Sequence, residues 1–407
     1  MSRSHRVVWA KRTLSAVLLL GLALGARAGA ATRTVLYVAA HGDDIIIPAG
    51  QLCRELLAGN EVYILFTGSA GLEPESCPLA TVLGVPPENI LITPYGGPIP
   101  HLNANLLAVT RAIEELEPDV IFVQAYAGGH PAHDITHVIV VEALKRLGFT
   151  PEVYEFPMQT GYYGPLPPRP TLEELIRFWF TLIPLPEGLA QPITRIDLTP
   201  EERRLKLDLV KEWDIPWMTD LLSRFGDEEA MEFLDNEKYR PLPPFDYLEP
   251  PYGPNEWNPE GKMLYELSPN WPYTFADFRN YVLNLRSENG ADLWTTPSAT
   301  YRGREVRVSG NSFSFELHLF NKADEPDTFR LSAALDAERR PVGDRVSFEE
   351  EVITLAGGEH RVVRVTCDVS GASGRHVLWL RADSARAAAE GQPTSYIEIP
   401  LLLNIRR

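Results

Sequence analysis

Residues 34–44 read Thr-Val-Leu-Tyr-Val-Ala-Ala-His-Gly-Asp-Asp. The run Val35 to Ala40 has no polar alternate, which is the pattern of a strand covered on both faces, as in a parallel sheet between helices. It stops at His41, with Asp43 and Asp44 directly behind. Pro48 can open a helix carrying Leu52, Leu56 and Leu57, and Gly59-Asn60 can end it. Val62 to Thr67 then reads as a second buried strand.

Working outward, the same alternation continues to about residue 156. A short helix over Leu79 to Leu83 precedes a strand from Ile90 to Thr93. A helix over Leu102 to Leu116 stops before Pro118 and is followed by a strand from Val120 to Val123. A helix over Ile135 to Leu147 and a strand over Val153 to Phe156 close the series. Strands separated by helices imply right-handed parallel crossovers, hence a Rossmann-like, doubly wound α/β sheet. The simplest strand order is 3-2-1-4-5, with its switch point between strands 1 and 4.

Three other regions flank or follow this core. Arg3, Arg6, Lys11 and Arg12, an apolar run from Leu14 to Ala26, and Ala28-Gly29-Ala30 form a secretory signal pattern over residues 1–30. It implies a secreted or periplasmic chain, and the run is shorter than an ordinary membrane span. Residues 157–295 are rich in Pro and Trp, with a helix marked by Thr199, Pro200 and Glu202 as a capping box. From residue 296 to 407 about seven short alternating segments are separated by Gly turns, which suggests an immunoglobulin-like β-sandwich. The expected division is therefore 1–30 as leader, 31–295 as the α/β unit with its extension, and 296–407 as the sandwich.

Composition narrows the function. The net charge of −17 argues against nucleic acid as partner. Three Cys exclude a Cys₄ zinc module or a disulfide-dense scaffold, and Cys53 and Cys77 are the one pair near enough in sequence to suggest a disulfide. Cys367, within an expected strand, reads as a buried free thiol.

The nine His are not spread evenly. His41 follows strand 1, and His130, His133 and His137 follow strand 4 within eight residues. Those two strand ends flank the switch point, where ligands bind in open α/β sheets. Catalytic zinc takes three ligands from His and carboxylate, and His41, Asp44 and His133 supply that count. Asp43 is the candidate general base, and His130 or His137 can stabilise an oxyanion. The same donors also suit iron, cobalt or nickel. The bland alternatives are that Asp43-Asp44 caps a helix, that Asp134 caps the next one, and that His137 is ordinary helix surface or core. His101, His318, His360 and His376 fall outside the pattern and read as structural.

These residues carry a family resemblance. Val35 to Asp44 resembles the strand and Ala-His-Pro-Asp-Asp-Glu motif of the PIG-L/LmbE-like N-acetylglucosaminyl deacetylases. Leu79 to Leu91, Pro118 to Phe122, His130-Pro131-Ala132-His133 and Asp197 to Lys206 resemble later segments of the same family. The resemblance implies a Rossmann-like fold, a divalent metal (usually zinc) and hydrolysis of an N-acetyl group on an N-acetylglucosamine-type sugar or glycoconjugate. It places His41, Asp44 and His133 on the metal, Asp43 as general base and His130 as the residue assisting the tetrahedral intermediate. Gly42, Ile45 and Ala132 replace the motif's Pro, Glu and Asp. The alternatives are a degenerate glycan- or surface-binding descendant, or a hydrolase of another small N-acyl amide. Tyr162, Tyr163, Trp179, Trp217, Trp257 and Trp271 are candidates to line a sugar cleft.

Overall fold

The computed structural model describes residues 32–406, apart from residues 70, 96, 186–187, 214–215, 269–270 and 301–303 and the side chains at 216–218, 221 and 230. The expected leader over residues 1–30 lies outside the described residues. Among the described residues no helix is long and apolar enough to cross a membrane.

β1 (Thr34–Ala39), β2 (Glu61–Phe66), β3 (Ile90–Ile92), β4 (Val120–Gln124) and β5 (Glu152–Phe156) lie in the order β3-β2-β1-β4-β5. Every neighbouring pair in that set is parallel; Val35 is in register with Val62 on one side and Val120 on the other. The period-two pleat sends alternate β1 side chains into two cores. Leu36 and Val38 pack with α2 (Leu102–Leu116) and α3 (Pro131–Leu147). Val35, Tyr37 and Ala39 pack with α1 (Ala49–Leu57) and with Leu209 and Val210 further along the chain. That double burial is why the strand reads as unbroken apolar sequence.

The sheet is extended past β5 by two short antiparallel strands, in the order β7 (Lys238–Pro241) then β6 (Thr194–Arg195). Around them the Pro- and Trp-rich extension forms α4 (Leu172–Phe180), α5 (Pro200–Trp213) and α6 (Pro216–Leu234). The expected capping box of α5 is present: Glu202 N–H donates to Thr199 Oγ1 at 3.2 Å, and Thr199 N–H donates to Glu202 Oε2 at 2.7 Å. Glu202 also takes a two-pronged contact from Arg54 at 2.9 and 3.0 Å, which ties α5 to α1.

The C-terminal region forms two antiparallel-rich sheets over one core. One runs β13 (Val346–Phe348), β15 (His360–Asp368), β10 (Ser312–Asn321), β8 (Ala291–Thr296). The other runs β12 (Arg340–Pro341), β11 (Asp327–Leu335), β16 (Gly374–Ser384), β17 (Tyr396–Arg406), β9 (Val306–Ser309), with β14 (Val352–Leu355) against β11. Only β17 and β9 pair in parallel. β8 falls largely before residue 296, yet it pairs with β10 as part of this sheet. It also joins the two halves: Asp292 accepts the N–H groups of Asn103 and Ala104, both at 2.9 Å, and so satisfies the N-terminus of α2. α7 (Phe275–Arg286) shares the same core as α2, α3 and both sheets.

Cys53, Cys77 and Cys367 are all buried free thiols. The suggested Cys53–Cys77 disulfide is therefore absent, and Cys367 sits on β15 as expected.

Candidate metal centre

The parallel sheet presents its polar groups at the carboxyl ends of its strands, where the chain leaves the apolar layer. His41, one residue past Ala40, keeps extended backbone (φ −125°, ψ 161°) and starts the tight 3₁₀ turn Gly42–Ile46. Its own N–H donates to Asp44 Oδ2 at 2.7 Å, so the turn folds the carboxylate back over the strand end. Gly42 permits the turn to lie against α5, since a Cβ there would meet Trp213 Cζ2 at 2.8 Å. The residue that stands where the resembling motif has Glu, Ile45, is fully buried in the core with α1.

The second strand end works differently from expectation. The helix begins at Pro131, not Ile135, so His133 sits in its first turn and not in a loop. Pro at the first helical position carries the right φ and gives up an N–H that had no partner anyway. The cap is His130, whose Nδ1 accepts the Ala132 N–H at 3.1 Å. Asp134, expected as the cap, instead accepts the Ala127 and Gly128 N–H groups at 3.0 and 3.2 Å from inside the helix. Burial pushes its carboxyl up to about 8, against those two donors. Gly129 lets the segment after β5 pass directly over this turn, because a Cβ would fall 1.3 Å from Gln159 O.

The two ends meet. His133 Nε2 lies 3.3 Å from Asp44 Oδ1, and His41 Nδ1 lies 3.4 Å from Asp44 Oδ2. One ligand atom from each of His41, Asp44 and His133 falls within 4.8 Å of the others, the one such group among the described residues. Asp44 and His133 are buried, and His41 is partly open. Burial alone raises the Asp44 carboxyl, but the flanking His133 and His41 hold it well below the usual carboxylate range. Burial pulls His41 down, and Asp44, helped by Asp43, more than reverses this. Asp43 is half-buried in the same turn.

Two imidazoles and one carboxylate fit a divalent metal with a position left for water. The fit is incomplete in one respect: His133 Nδ1 is buried without a hydrogen-bond partner. Ligating histidines usually donate that second N–H to an orienting acceptor, and here the neighbouring position is Ala132.

His130 stacks on His133 with ring centroids 4.4 Å apart and meets His41 edge-on at 5.1 Å. Burial, with His133 and His41 beside it, holds His130 well below the ordinary histidine range. Its neutral form is also fixed as a tautomer. Nδ1 is spent as an acceptor, so the proton resides on Nε2, which is left as a donor.

Three further residues belong to the site. Gln124, the last residue of β4, donates from Nε2 to Asp44 Oδ2 at 2.6 Å and accepts the Ala40 N–H at 2.8 Å. It thereby fixes which Asp44 oxygen faces His133. His137, fully buried on α3, donates from Nδ1 to Gln124 O at 2.6 Å, and its Nε2 pairs with Tyr247 Oη at 3.0 Å. It is neither surface nor a ligand; it pins the strand end that carries Gln124. Trp271 lies edge-to-face on His130 at 4.7 Å. Tyr162, Tyr163 and Trp257 form a separate aromatic cluster with centroids 4.9–5.9 Å apart, and Trp179 is buried in the core.

No protein-family model and no curated protein matches the chain. Solved structures similar to it include the zinc-inhibited form of teicoplanin deacetylase Orf2, at 16% identity over 52% of this chain and 99% of that one, with a TM-score of 0.35. Another is the A40926 pseudoaglycone deacetylase Dbv21, at 16% identity over 52% of this chain and 96% of that one, with a TM-score of 0.37. The complex of Salmonella enterica SafA pilin with the SafB chaperone matches 29% of this chain and 54% of that one, at 14% identity and a TM-score of 0.22.

Proposed function

We propose that the chain is an exported metal-dependent amide hydrolase of PIG-L/LmbE type that removes an N-acetyl group from an N-acetylglucosamine-type sugar or glycoconjugate. The observation that carries this reading is the convergence of His41, Asp44 and His133 from two strand ends. The motif resemblance supplies the substrate class, and the basic, apolar, small-residue start of the chain supplies the export.

A divalent metal, zinc by the motif resemblance, would be held by His41, Asp44 and His133; when bound, it supplies Lewis-acid polarisation of the acyl oxygen and acidifies the attacking water. Asp43, beside the ligands in the same turn, takes the proton of that water as its oxygen adds to the acetyl carbon. The neutral His130 ring donates its Nε2–H to the oxygen that gains charge, and no proton need be removed first. The C–N bond then breaks. The amine leaves with the proton that Asp43 accepted, and acetate is released. Gln124 and His137 keep the Asp44 carboxylate in place throughout.

The test is acetate release from N-acetylglucosamine and its dimer by the full zinc-loaded chain. The expected result is turnover that a chelator abolishes and zinc restores. A chain that binds one equivalent of zinc and releases no acetate from any N-acetylated sugar overturns the reading.

A further inference from the structure

Trp271 links the metal centre to the C-terminal sheets. Trp271, whose ring rests on His130 at 4.7 Å, also lines a cavity of about 300 Å³ whose other walls, Pro272 apart, belong to the C-terminal half. Asp336, Glu338, Arg375, His376 and Trp379 are among those walls. One indole therefore separates this cavity from a residue of the proposed reaction.

The chemistry of the lining selects its ligand. Trp379 is 1% exposed, and its indole N–H is buried with no acceptor. Arg339 covers its ring at 3.9 Å, so the ring face is already used and the N–H is what remains. The charged groups are largely balanced: Arg375 meets Glu305 at 3.2 Å, and His376 meets Asp336 at 3.3 Å. Glu338 lies 3.8 Å from Arg340. Arg375 and His376, the basic side chains of the lining, are each already paired with a carboxylate, which disfavours an anion. Mixed donors and acceptors beside an indole wall fit the hydroxyls and the C–H face of a neutral sugar ring.

We propose that this cavity is a saccharide subsite that takes the neutral sugar unit next to the one bearing the acyl group. The C-terminal half is then part of substrate recognition. The proposal rests on the hydrolase reading only for the word "next"; the binding itself does not require turnover.

The experiment compares N-acetylglucosamine with its β-1,4-linked dimer on the full chain, by calorimetric binding and by acetate release. Arg375 and Glu338 have side chains 60% and 68% exposed, so Arg375→Ala and Glu338→Ala should leave the fold intact. The dimer is expected to bind about tenfold or more tightly than the monomer, and each variant to reduce the dimer-to-monomer ratio of affinities severalfold. The ratio of kcat/KM should fall in parallel, through KM. Equal affinities for monomer and dimer in the unmodified chain overturn the subsite, as does a ratio that neither variant moves. Dimer-selective binding without acetate release from either sugar retires the hydrolase reading and leaves the subsite standing. Acetate release from both sugars with equal KM does the reverse.

Discussion

At the carboxyl edge of the parallel sheet, His41, His130 and His133 lie with ring centroids 4.4–5.3 Å apart. On one face of the four-stranded sheet, His318 and His360 lie with Trp294 at 5.0–5.3 Å, and His101 approaches the same Trp at 4.6 Å. The two clusters have similar composition and spacing, but their geometries differ. On the sheet face the rings are held by strand register, with Trp294 directly across from His318, and their planes lie within 7–13° of one another. His318, His360 and Trp294 stand side by side off one pleated surface, with His318 Nδ1 3.1 Å from His360 Nε2. At the strand ends the chain turns, so His41, Asp44 and His133 arrive from different directions, and a carboxylate is drawn in among them. A metal requires convergent donors, and among the described residues these are found at the two strand ends.

Five substitutions and one change of pH test this contrast. Asp43→Asn should lower kcat by about 10²–10⁴ while zinc stays bound, as expected for loss of a general base. The matching change beside the second cluster, Glu316→Gln, should leave turnover unchanged, measured as acetate release. Burial holds His137 down to about 4, against an ordinary value of 6.5. The unfolded chain therefore takes up the proton first, and stability is lost as pH falls from about 6.5 towards 4. At about 1.4 kcal/mol per pH unit the full loss is about 3 kcal/mol, of which about 2 kcal/mol is reached by pH 5. Between pH 7.5 and pH 5, urea unfolding of the chelator-treated chain should show the unmodified protein losing about 2 kcal/mol relative to His137→Gln, because the raised Asp134 carboxyl works in the opposite direction in both proteins. Gln124→Leu removes the donor to Asp44 and should weaken zinc affinity by about 10–100-fold, read by competition with a chromophoric chelator. Gly42→Ala should cost about 1–3 kcal/mol through the Trp213 contact, read in the same unfolding assay with chelator present.

Much of the architecture is legible from local pattern alone. Val35 to Ala40 shows a doubly buried strand because both of its faces are covered, and the α5 capping box is written in Thr199 and Glu202. The grouping of His41, Asp44 and His133 is legible because two expected parallel strands end beside one another with these residues directly after them. The expected start of α3 at Ile135 is four residues late because the apolar run begins there, whereas Pro131 occupies the first helical position. Gln124 is invisible for a different reason. A polar residue closing an apolar strand is ordinary, and only the register of β1 against β4 brings it to Asp44. β6 and β7 are short and lie within Pro-rich sequence, so their pairing depends on the sheet edge they join. Trp271 reaches His130 through the fold of a long extension, which no periodicity encodes.

The most direct test is the zinc content of the full chain after dialysis, by elemental analysis, for the unmodified protein, His133→Ala and His360→Ala. The account predicts about one equivalent in the unmodified chain and in His360→Ala, and a loss of most of it in His133→Ala. Full zinc in His133→Ala, or its loss in His360→Ala, would contradict the assignment of the metal to the strand ends.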